Sequence, residues 1–128
     1  MRTYRETDGE VGHDWKRGAP VLLLTTTGRS SGEPRTTPLI YGRSGADYLI
    51  VASNGGSDDP PGWFKNLSSG PEVEVQVLGD RFRARARTAT SEEKPVMWRE
   101  MVAHWPPYED YQRSTDREIP VVVLERVR

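Results

Sequence analysis

The sequence has 128 residues, enough for one domain with a single hydrophobic core and too few for two. Its formal net charge of −1 disfavours a general nucleic-acid binder, and the absence of cysteine excludes disulfides, thiolate zinc sites and cysteine nucleophiles. No run approaches the ~20 apolar residues that cross a bilayer, and no apolar signal region is visible at the N-terminus. We therefore expect a cytoplasmic protein without stable membrane insertion.

The first half of the chain is predicted to contain a flexible arm and three strands. Residues 1–18 are charged and lack periodicity, which is typical of a flexible arm, and 19–128 are assigned to the domain. The continuous apolar run at 20–27 predicts a strand that is buried on both faces. Further strands are predicted at 34–42 and 47–53, each after a turn that contains glycine.

The second half of the chain adds helices and three more strands. The predicted elements are a helix at 62–69, strands at 72–78 and 81–88, a helix from a cap at Ser91 to about Trp105, a helical turn at 108–113 and a strand at 119–125. A doubly wound parallel sheet needs a helix between successive strands, and the first three strands have none. We therefore predict a mainly β (α+β) fold, an antiparallel barrel of six to seven strands with two or three peripheral helices.

Four arginines alternate along the second strand of the 72–88 hairpin and leave the strand on one face. If Gly79 and Asp80 form the turn, the register sets Gln76, Glu74 and Glu72 opposite Arg83, Arg85 and Arg87. This pairing predicts a solvated salt-bridge ladder rather than an anion-binding face. Arg83, with only an amide opposite, is the arginine expected to be most free to bind a ligand.

The loop at 28–38 combines two glycines, several hydroxyls and two arginines, Arg29 and Arg35. Backbone N–H groups in such a turn can accept an anion, and the arginine fork matches the geometry of phosphate. The spacing is not that of a P-loop, and no helix follows the loop. The residues alone therefore leave two alternatives open, a phosphate site and an ordinary polar hairpin loop.

Two further segments suggest a ligand pocket. Small residues at 52–56 end a strand, so a flat ring or a phosphate could approach the backbone there. The free N–H groups of the helix that opens with Pro61-Gly62-Trp63 would also favour an anion. Trp105, Tyr108 and Tyr111 flank a double proline, where aromatic side chains line a pocket more often than they fill a core. The alternative is that these three residues cap the end of the barrel.

The two histidines, His13 and His104, are far apart in the sequence, so neither a zinc site nor a catalytic triad is expected. We predict no metal site.

Four motifs, in order, resemble the deazaflavin (F420)-dependent nitroreductase family of actinobacteria. They are LLLTTTGRSSGEPRTTPL, VASNGG, PGWFKNL and WPPYEDYQRSTDREIPVVVLE, and the match spans about residues 20–125. The resemblance implies an FMN-binding split-barrel-like fold with coenzyme F420 (8-hydroxy-5-deazaflavin) as the cofactor. It also implies hydride transfer to a small-molecule acceptor such as a quinone or a nitroaromatic compound.

The resemblance assigns roles to individual residues. The 28–38 loop would hold the phosphate and the polyglutamyl tail through Arg29, Ser30, Ser31 and Arg35. The deazaflavin ring would be flanked by Thr36, Thr37, Pro38, Leu39, Ile40, Val51, Ala52, Ser53 and Asn54. The ribityl-phosphate side would be closed by Gly62, Trp63, Phe64, Lys65 and Asn66. Trp105, Tyr108 and Tyr111 would line the acceptor pocket, with Tyr111 assisting protonation.

The chain departs from the family pattern at two points. Family members often carry lysine where this chain has Ser30 and Asn54. The resemblance therefore implies that this chain attracts the anionic tail less strongly than those members do. The family's best-studied member has a longer N-terminal extension that is thought to aid membrane association; the arm here is short and charged, so a soluble protein is expected.

Two other functions remain open at this stage. The same barrel could hold flavin mononucleotide, or it could be a non-enzymatic carrier of F420. An oligonucleotide-binding barrel is disfavoured by the net charge and by the arginine ladder. Because related split barrels often dimerise across the sheet, a homodimer is a further expectation.

Overall fold

The computed structural model describes residues 20–127, and the predicted arm at 1–18 lies outside them. This part of the chain contains seven strands and three helices. In chain order they are β1 (Val21–Thr27), β2 (Pro34–Ile40), β3 (Gly42–Ser44), β4 (Asp47–Val51), α1 (Gly62–Ser69), β5 (Glu72–Val77), β6 (Asp80–Thr88), α2 (Lys94–His104), α3 (Pro107–Arg113) and β7 (Val121–Arg126). The short strand β3 was not predicted as a separate element.

The seven strands form one antiparallel sheet in the order β2-β1-β5-β6-β7-β4-β3. Hairpins connect β1 to β2, β3 to β4 and β5 to β6. The sheet curls into a half-barrel, which confirms the predicted antiparallel split barrel with peripheral helices. Among residues 20–127 no helix is long and apolar enough to cross a membrane.

The central strands are apolar on both faces because each face of the sheet is covered. On one face, side chains of β1, β4, β5, β6 and β7 pack against α1; they include Leu22, Leu24, Ile50, Val122 and Leu124, with Trp63 and Leu67 from the helix. On the other face, α2 and α3 pack against Val21, Leu23, Leu49, Val51, Val121 and Val123 through Met97, Met101 and Tyr108. The helices therefore occupy opposite sides of the sheet.

The β5–β6 hairpin differs from its predicted register by two residues. Val77 pairs with Asp80, so the turn is Leu78-Gly79 rather than Gly79-Asp80. Leu78 adopts a φ of 55°, a conformation that a leucine rarely takes, which is why the sequence favoured the other turn. A shift of two keeps every side chain on its predicted face.

The shift of register changes the partners of the arginines. The structure sets Glu72 opposite Arg85, Glu74 opposite Arg83 and Gln76 opposite Arg81. The expectation that Arg83 faces only an amide was therefore wrong. Arg87 pairs with Glu93 at 2.6 Å and with Glu125 at 3.4 Å instead of facing a residue of β5.

The turn before α2 is closed by Thr90 and Glu93, where the sequence predicted a cap at Ser91. The Thr90 backbone N–H donates to Glu93 Oε1 at 3.0 Å, and the Glu93 N–H donates to Thr90 Oγ1 at 3.2 Å. The same carboxylate accepts two hydrogen bonds from the Arg87 guanidinium, at 2.6 and 2.9 Å. The Arg87 hydrogen bond, followed by that of Thr90, lowers the pKa of Glu93 to about 2.

This lowered pKa predicts a pH-dependent contribution of Glu93 to stability. The folded pKa lies below the ordinary value of 4.5, so the contribution is complete above that pH and is lost as the pH falls toward about 2. We expect Glu93→Gln to lower the Tm at pH 7, and the gap to the parent protein to close between pH 4.5 and about 2.

Circular dichroism melts across this pH range measure the gap. Glu92→Gln, at the exposed neighbouring position, is the matched control and should leave the Tm unchanged. A difference in Tm between Glu93→Gln and the parent protein that stays constant at all pH values would contradict the role of the Arg87–Glu93 pair.

Candidate functional site

A cleft of about 640 Å³ opens where the ends of the central strands meet the helices. It is lined by Val21, Thr37, Pro38, Leu39, Ile40, Val51, Ser53, Asn54, Gly55, Pro61, Trp63, Trp105, Tyr108 and Tyr111. Residues predicted to flank a ring and residues predicted to line an acceptor pocket thus surround one cavity. Gly55 and Pro61 lie in the segments 52–56 and 61–63, which the sequence suggested for a ligand pocket; Val21 was not predicted, although it is the strand partner of Ile40.

The floor of the cleft is built by the sheet. Val21 of β1 pairs with Ile40 at the end of β2, and both are buried, as is Val51 at the end of β4. Pro38 lies in β2, which is an edge strand and can therefore accommodate a residue without an N–H donor. The result is an apolar surface that suits a flat ring.

The segment that follows β4 forms one wall. Asn54–Gly56 is a short 3-10 turn in which Asn54, Gly55 and Gly56 all have positive φ, at 46°, 64° and 87°. The Asn54 side-chain amide donates to the backbone oxygen of Asp59 at 2.9 Å. A Cβ on Gly56 would lie 2.9 Å from both Cα and O of Tyr111, so this turn packs directly on the backbone of α3.

The opposite wall carries three aromatic residues from the end of α2 and from α3. Trp105 and Tyr108 are buried, and Tyr111 is half-buried. Trp105 Nε1 donates to Tyr111 Oη at 3.3 Å. The rings of Tyr108 and Tyr111 pack edge to face, with their centroids 6.0 Å apart. Trp105 and Tyr108 also belong to the core beneath α2 and α3. These two residues therefore both line the pocket and contribute to the core.

The hydroxyl of Tyr108 is available to a ligand. The residue is 6% exposed and lines the cleft, and within residues 20–127 its hydroxyl has no hydrogen-bond partner. Burial, and secondarily the neighbouring Tyr111, raises the pKa of Tyr108. Its O–H therefore stays protonated over the physiological range and can donate a hydrogen bond to an acceptor in the cleft.

The glycine- and arginine-containing loop lies beside the start of α1. Asn66 is buried, and its Oδ1 accepts from the backbone N–H of Arg29 at 3.2 Å and from Arg29 Nη1 at 2.8 Å. Its amide nitrogen donates to Thr26 Oγ1 at 3.1 Å, and Arg29 Nη1 also reaches the backbone oxygen of Gly62 at 3.4 Å. Asn66 therefore ties the loop to α1, which places Arg29 next to the helix that carries Trp63.

Five of the predicted residues at 28–38 are exposed and do not line the cleft, whereas Thr37 and Pro38 do; the five are Arg29, Ser30, Ser31, Arg35 and Thr36. The loop is closed by two backbone hydrogen bonds of 2.8 Å, from Gly28 N–H to the oxygen of Glu33 and from Gly32 N–H to that of Gly28. Arg35 Nε lies 3.7 Å from the position of a Cβ on Gly28, so its guanidinium stem crosses the turn.

Four residues predicted to contact the coenzyme point elsewhere. Ala52 and Phe64 belong to the core on the α1 side of the sheet, Lys65 pairs with Asp59 at 2.8 Å, and Asn66 bonds Arg29 and Thr26. Successive helical residues turn by about 100° because there are about 3.6 residues per turn, so only one side of α1 can face the cleft. Trp63 occupies that side. Among residues 20–127 no cluster of three or more His, Asp or Glu side chains could hold a metal ion.

Comparison with known protein families identifies the family of the chain. The model of the F420H(2)-dependent quinone reductase family matches residues 1–126. The chain belongs to this family. An F420H(2)-dependent quinone reductase of Mycobacterium tuberculosis strain H37Rv is 44% identical over 128 aligned positions, which cover 96% of this chain and 85% of the relative. The F420-dependent, actinobacterial family expected from the four motifs is confirmed.

Several solved structures share the fold, among them one F420-dependent reductase. An F420-H2 dependent reductase (FDR-A) is 39% identical, with a TM-score of 0.77 over 83% of this chain and 94% of that one. A chain described as a domain-swapped dimer is also 39% identical, with a TM-score of 0.78 over 93% and 87%. The heme storage protein HutZ of Vibrio cholerae is 16% identical with a TM-score of 0.68, so it shares the fold alone.

The cleft fits the cofactor class of the quinone reductase family. Its volume lies within the range of about 300–1,000 Å³ that is usual for small-molecule sites. The apolar floor matches a flat ring, and the buried Tyr108 hydroxyl offers a polar contact. Arg29, beside the start of α1, and Arg35, at the start of β2, are both exposed, so an anionic tail that extends into solvent could reach them.

The contact between Gly56 and Tyr111 predicts different costs for two neighbouring glycines. Gly55→Ala should lower the free energy of unfolding by about 1–2 kcal/mol, the cost of a positive φ alone, because nothing lies within 4 Å of the added Cβ. Gly56→Ala adds a clash with the α3 backbone and should cost about 3 kcal/mol or more. Urea unfolding of the two variants measures the difference, and equal costs would show that α3 yields freely.

Proposed function

We propose that this chain is an F420-dependent oxidoreductase that transfers hydride from the reduced deazaflavin to a flat acceptor, with a quinone as the first candidate. The observation that carries the proposal is the single cleft in which Leu39, Ile40 and Ser53 face Tyr108 and Tyr111. Membership of the quinone reductase family supports F420 as the cofactor.

Different residues of the chain hold the ring and the tail of the coenzyme. The apolar floor and the turn after β4 flank the ring, while Arg29 and Arg35 bind the anionic tail. Arg29 is suited to this role because Asn66 and the Gly62 carbonyl fix one edge of its guanidinium and leave the rest exposed. When bound, the reduced coenzyme supplies a two-electron hydride.

The aromatic wall positions the acceptor. Trp105, Tyr108 and Tyr111 hold a flat molecule against the ring side of the cleft, at the ~3–3.5 Å separation that hydride transfer requires. Because Trp105 and Tyr108 are also core residues, their rings are fixed before the acceptor arrives. Their bulk also excludes water from the reacting atoms.

Reduction of a quinone to a hydroquinone takes one proton in addition to the hydride. Tyr111 Oη accepts a hydrogen bond from Trp105 Nε1, so its own O–H is left to donate into the cleft. We assign proton donation to Tyr111 and hydrogen bonding of the acceptor oxygen to Tyr108, whose raised pKa keeps it neutral.

The remaining expectations on assembly and location form part of the same proposal. A relative of 39% identity is described as a domain-swapped dimer, and we propose that this chain also forms a homodimer. The strand β2 lies at an edge of the sheet formed by the described residues, and edge strands are common sites of pairing between chains. We place the activity in the cytoplasm, as the sequence led us to expect.

Fluorescence titration of the purified protein with F420 and with flavin mononucleotide tests the choice of cofactor. We expect F420 to bind more tightly, and Arg35→Ala to weaken it about tenfold through the loss of a charge-assisted hydrogen bond. Arg99→Ala, an exposed arginine on α2, is the control. Tighter binding of flavin mononucleotide would overturn the cofactor, and tight F420 binding without oxidation of F420H2 by any quinone or nitro compound would favour a carrier.

Single-turnover oxidation of F420H2 by a quinone tests the role of Tyr111. Tyr111→Phe keeps the ring and removes the proton, so we expect the rate to fall roughly 100-fold, as for the loss of a positioned general acid. Trp105→Phe removes the hydrogen bond to Tyr111 and part of a buried ring but leaves the Tyr111 proton in place, so we expect a smaller effect on the rate. An unchanged rate and pH profile for Tyr111→Phe would leave Tyr111 as a packing residue.

A further inference from the structure

Arg117 follows α3 in the chain and reaches back to the turn that forms the other wall of the cleft. Its Nε donates to the backbone oxygen of Ser57 at 2.9 Å, and its Nη2 donates to those of Ala52 at 3.1 Å and Ser53 at 2.9 Å. One guanidinium thus holds three carbonyls of the segment that begins where β4 ends. Three residues of this segment, Ser53, Asn54 and Gly55, line the cleft.

The backbone of Arg117 is itself fixed to α3. Gln112 Nε2 donates to the Arg117 carbonyl at 2.8 Å, and Gln112 Oε1 accepts from the N–H of Ile119 at 2.9 Å. Gln112 lies next to Tyr111 in the same helix. A displacement of α3 would therefore move Arg117, and with it the carbonyls that its side chain holds.

A second link joins the same two segments. Thr115 is buried; its hydroxyl donates to the Asp58 carboxylate and accepts from the Arg117 N–H at 3.3 Å. The contact of Gly56 with Tyr111 is a third link between these segments, besides the hydrogen bonds of Arg117 and of Thr115. Two of these links involve Arg117.

The bonding pattern of Arg117 indicates a geometric role rather than charge neutralisation. Within residues 20–127 its side chain forms no salt bridge, and its described partners are backbone oxygens. A planar fork can hold donors toward several carbonyls at fixed angles, whereas a lysine offers one compact ammonium group. The position therefore requires the shape of arginine more than its charge.

We propose that Arg117 is a positioning residue that sets the separation between the 53–55 turn and Tyr111, and thereby the placement of the acceptor against the coenzyme. The inference rests on the proposed function, because it assigns the acceptor to the space between these two walls. It acts through Ser53 and Tyr111 and does not itself line the cleft.

Steady-state kinetics with menadione at saturating F420H2 test this role. We expect Arg117→Ala to raise the KM for the quinone and lower kcat/KM about tenfold or more, since small misplacements of reacting groups are costly. The Kd of F420 should stay within about threefold, because the loop at 28–38 provides the charge-assisted contacts to its tail. Arg117→Lys should recover only part of the loss.

Arg113→Ala is the matched control. Arg113 lies on α3, is exposed and pairs with Asp110, so its loss should change KM by less than about twofold. A purely structural role for Arg117 would lower the active fraction, and hence kcat per total protein, without raising KM. An unchanged KM in both Arg117 variants would overturn the proposal.

Hydrogen–deuterium exchange gives a readout that needs no enzymatic activity. We expect the amides of the 52–58 segment to exchange faster in Arg117→Lys, which keeps the charge and is the variant expected to fold, and at the parent rate in Arg113→Ala. Unchanged exchange would contradict the positioning role. A parent protein that does not oxidise F420H2 with any quinone would overturn the proposed function separately, whatever the exchange result.

Discussion

The whole architecture depends on one sheet that must bury both of its faces. The central strands β1, β4 and β7 carry apolar residues at successive positions, so side chains point to each side of the sheet. Each large apolar side chain gains about 1.5–3 kcal/mol from full burial, which requires a cover on both faces. The helix α1 covers one face, α2 and α3 cover the other, and residues from both cores line the cleft at the strand ends.

The cleft is therefore assembled from residues that the core already holds in place. Trp63 packs with one core and Trp105 and Tyr108 pack with the other, yet all three line the same cavity. A side chain fixed by packing has little rotamer freedom left to lose when a ligand binds. The site thus obtains rigid aromatic walls from the same contacts that stabilise the fold.

Sequence reasoning succeeded where the signal was local and failed where it depended on tertiary geometry. The apolar runs located the strands, and the bounds of α1 followed from its flanking Gly and Pro residues. The β5–β6 register was wrong because Leu78 adopts a left-handed conformation that no local rule favours. Phe64 and Lys65 were expected at the cleft, but the rotation of α1 turns them away. Arg117 was not singled out because its described partners are backbone carbonyls, which leave no pattern of residue types in the sequence.

The hydrogen bonds of Arg29 matter because this chain lacks two lysines that members of the family often carry. This chain has Ser30 and Asn54 at those positions, so fewer cations are available to attract an anionic tail. Asn66 holds the Arg29 backbone and guanidinium together, and its own amide is fixed by Thr26 in the interior of the protein. A cation that is already ordered gives up less conformational entropy on binding than a free surface lysine. In the proposed function this preorganisation of one arginine offsets part of the missing charge, so the buried amide of Asn66 contributes to coenzyme affinity through Arg29 without contacting the tail itself.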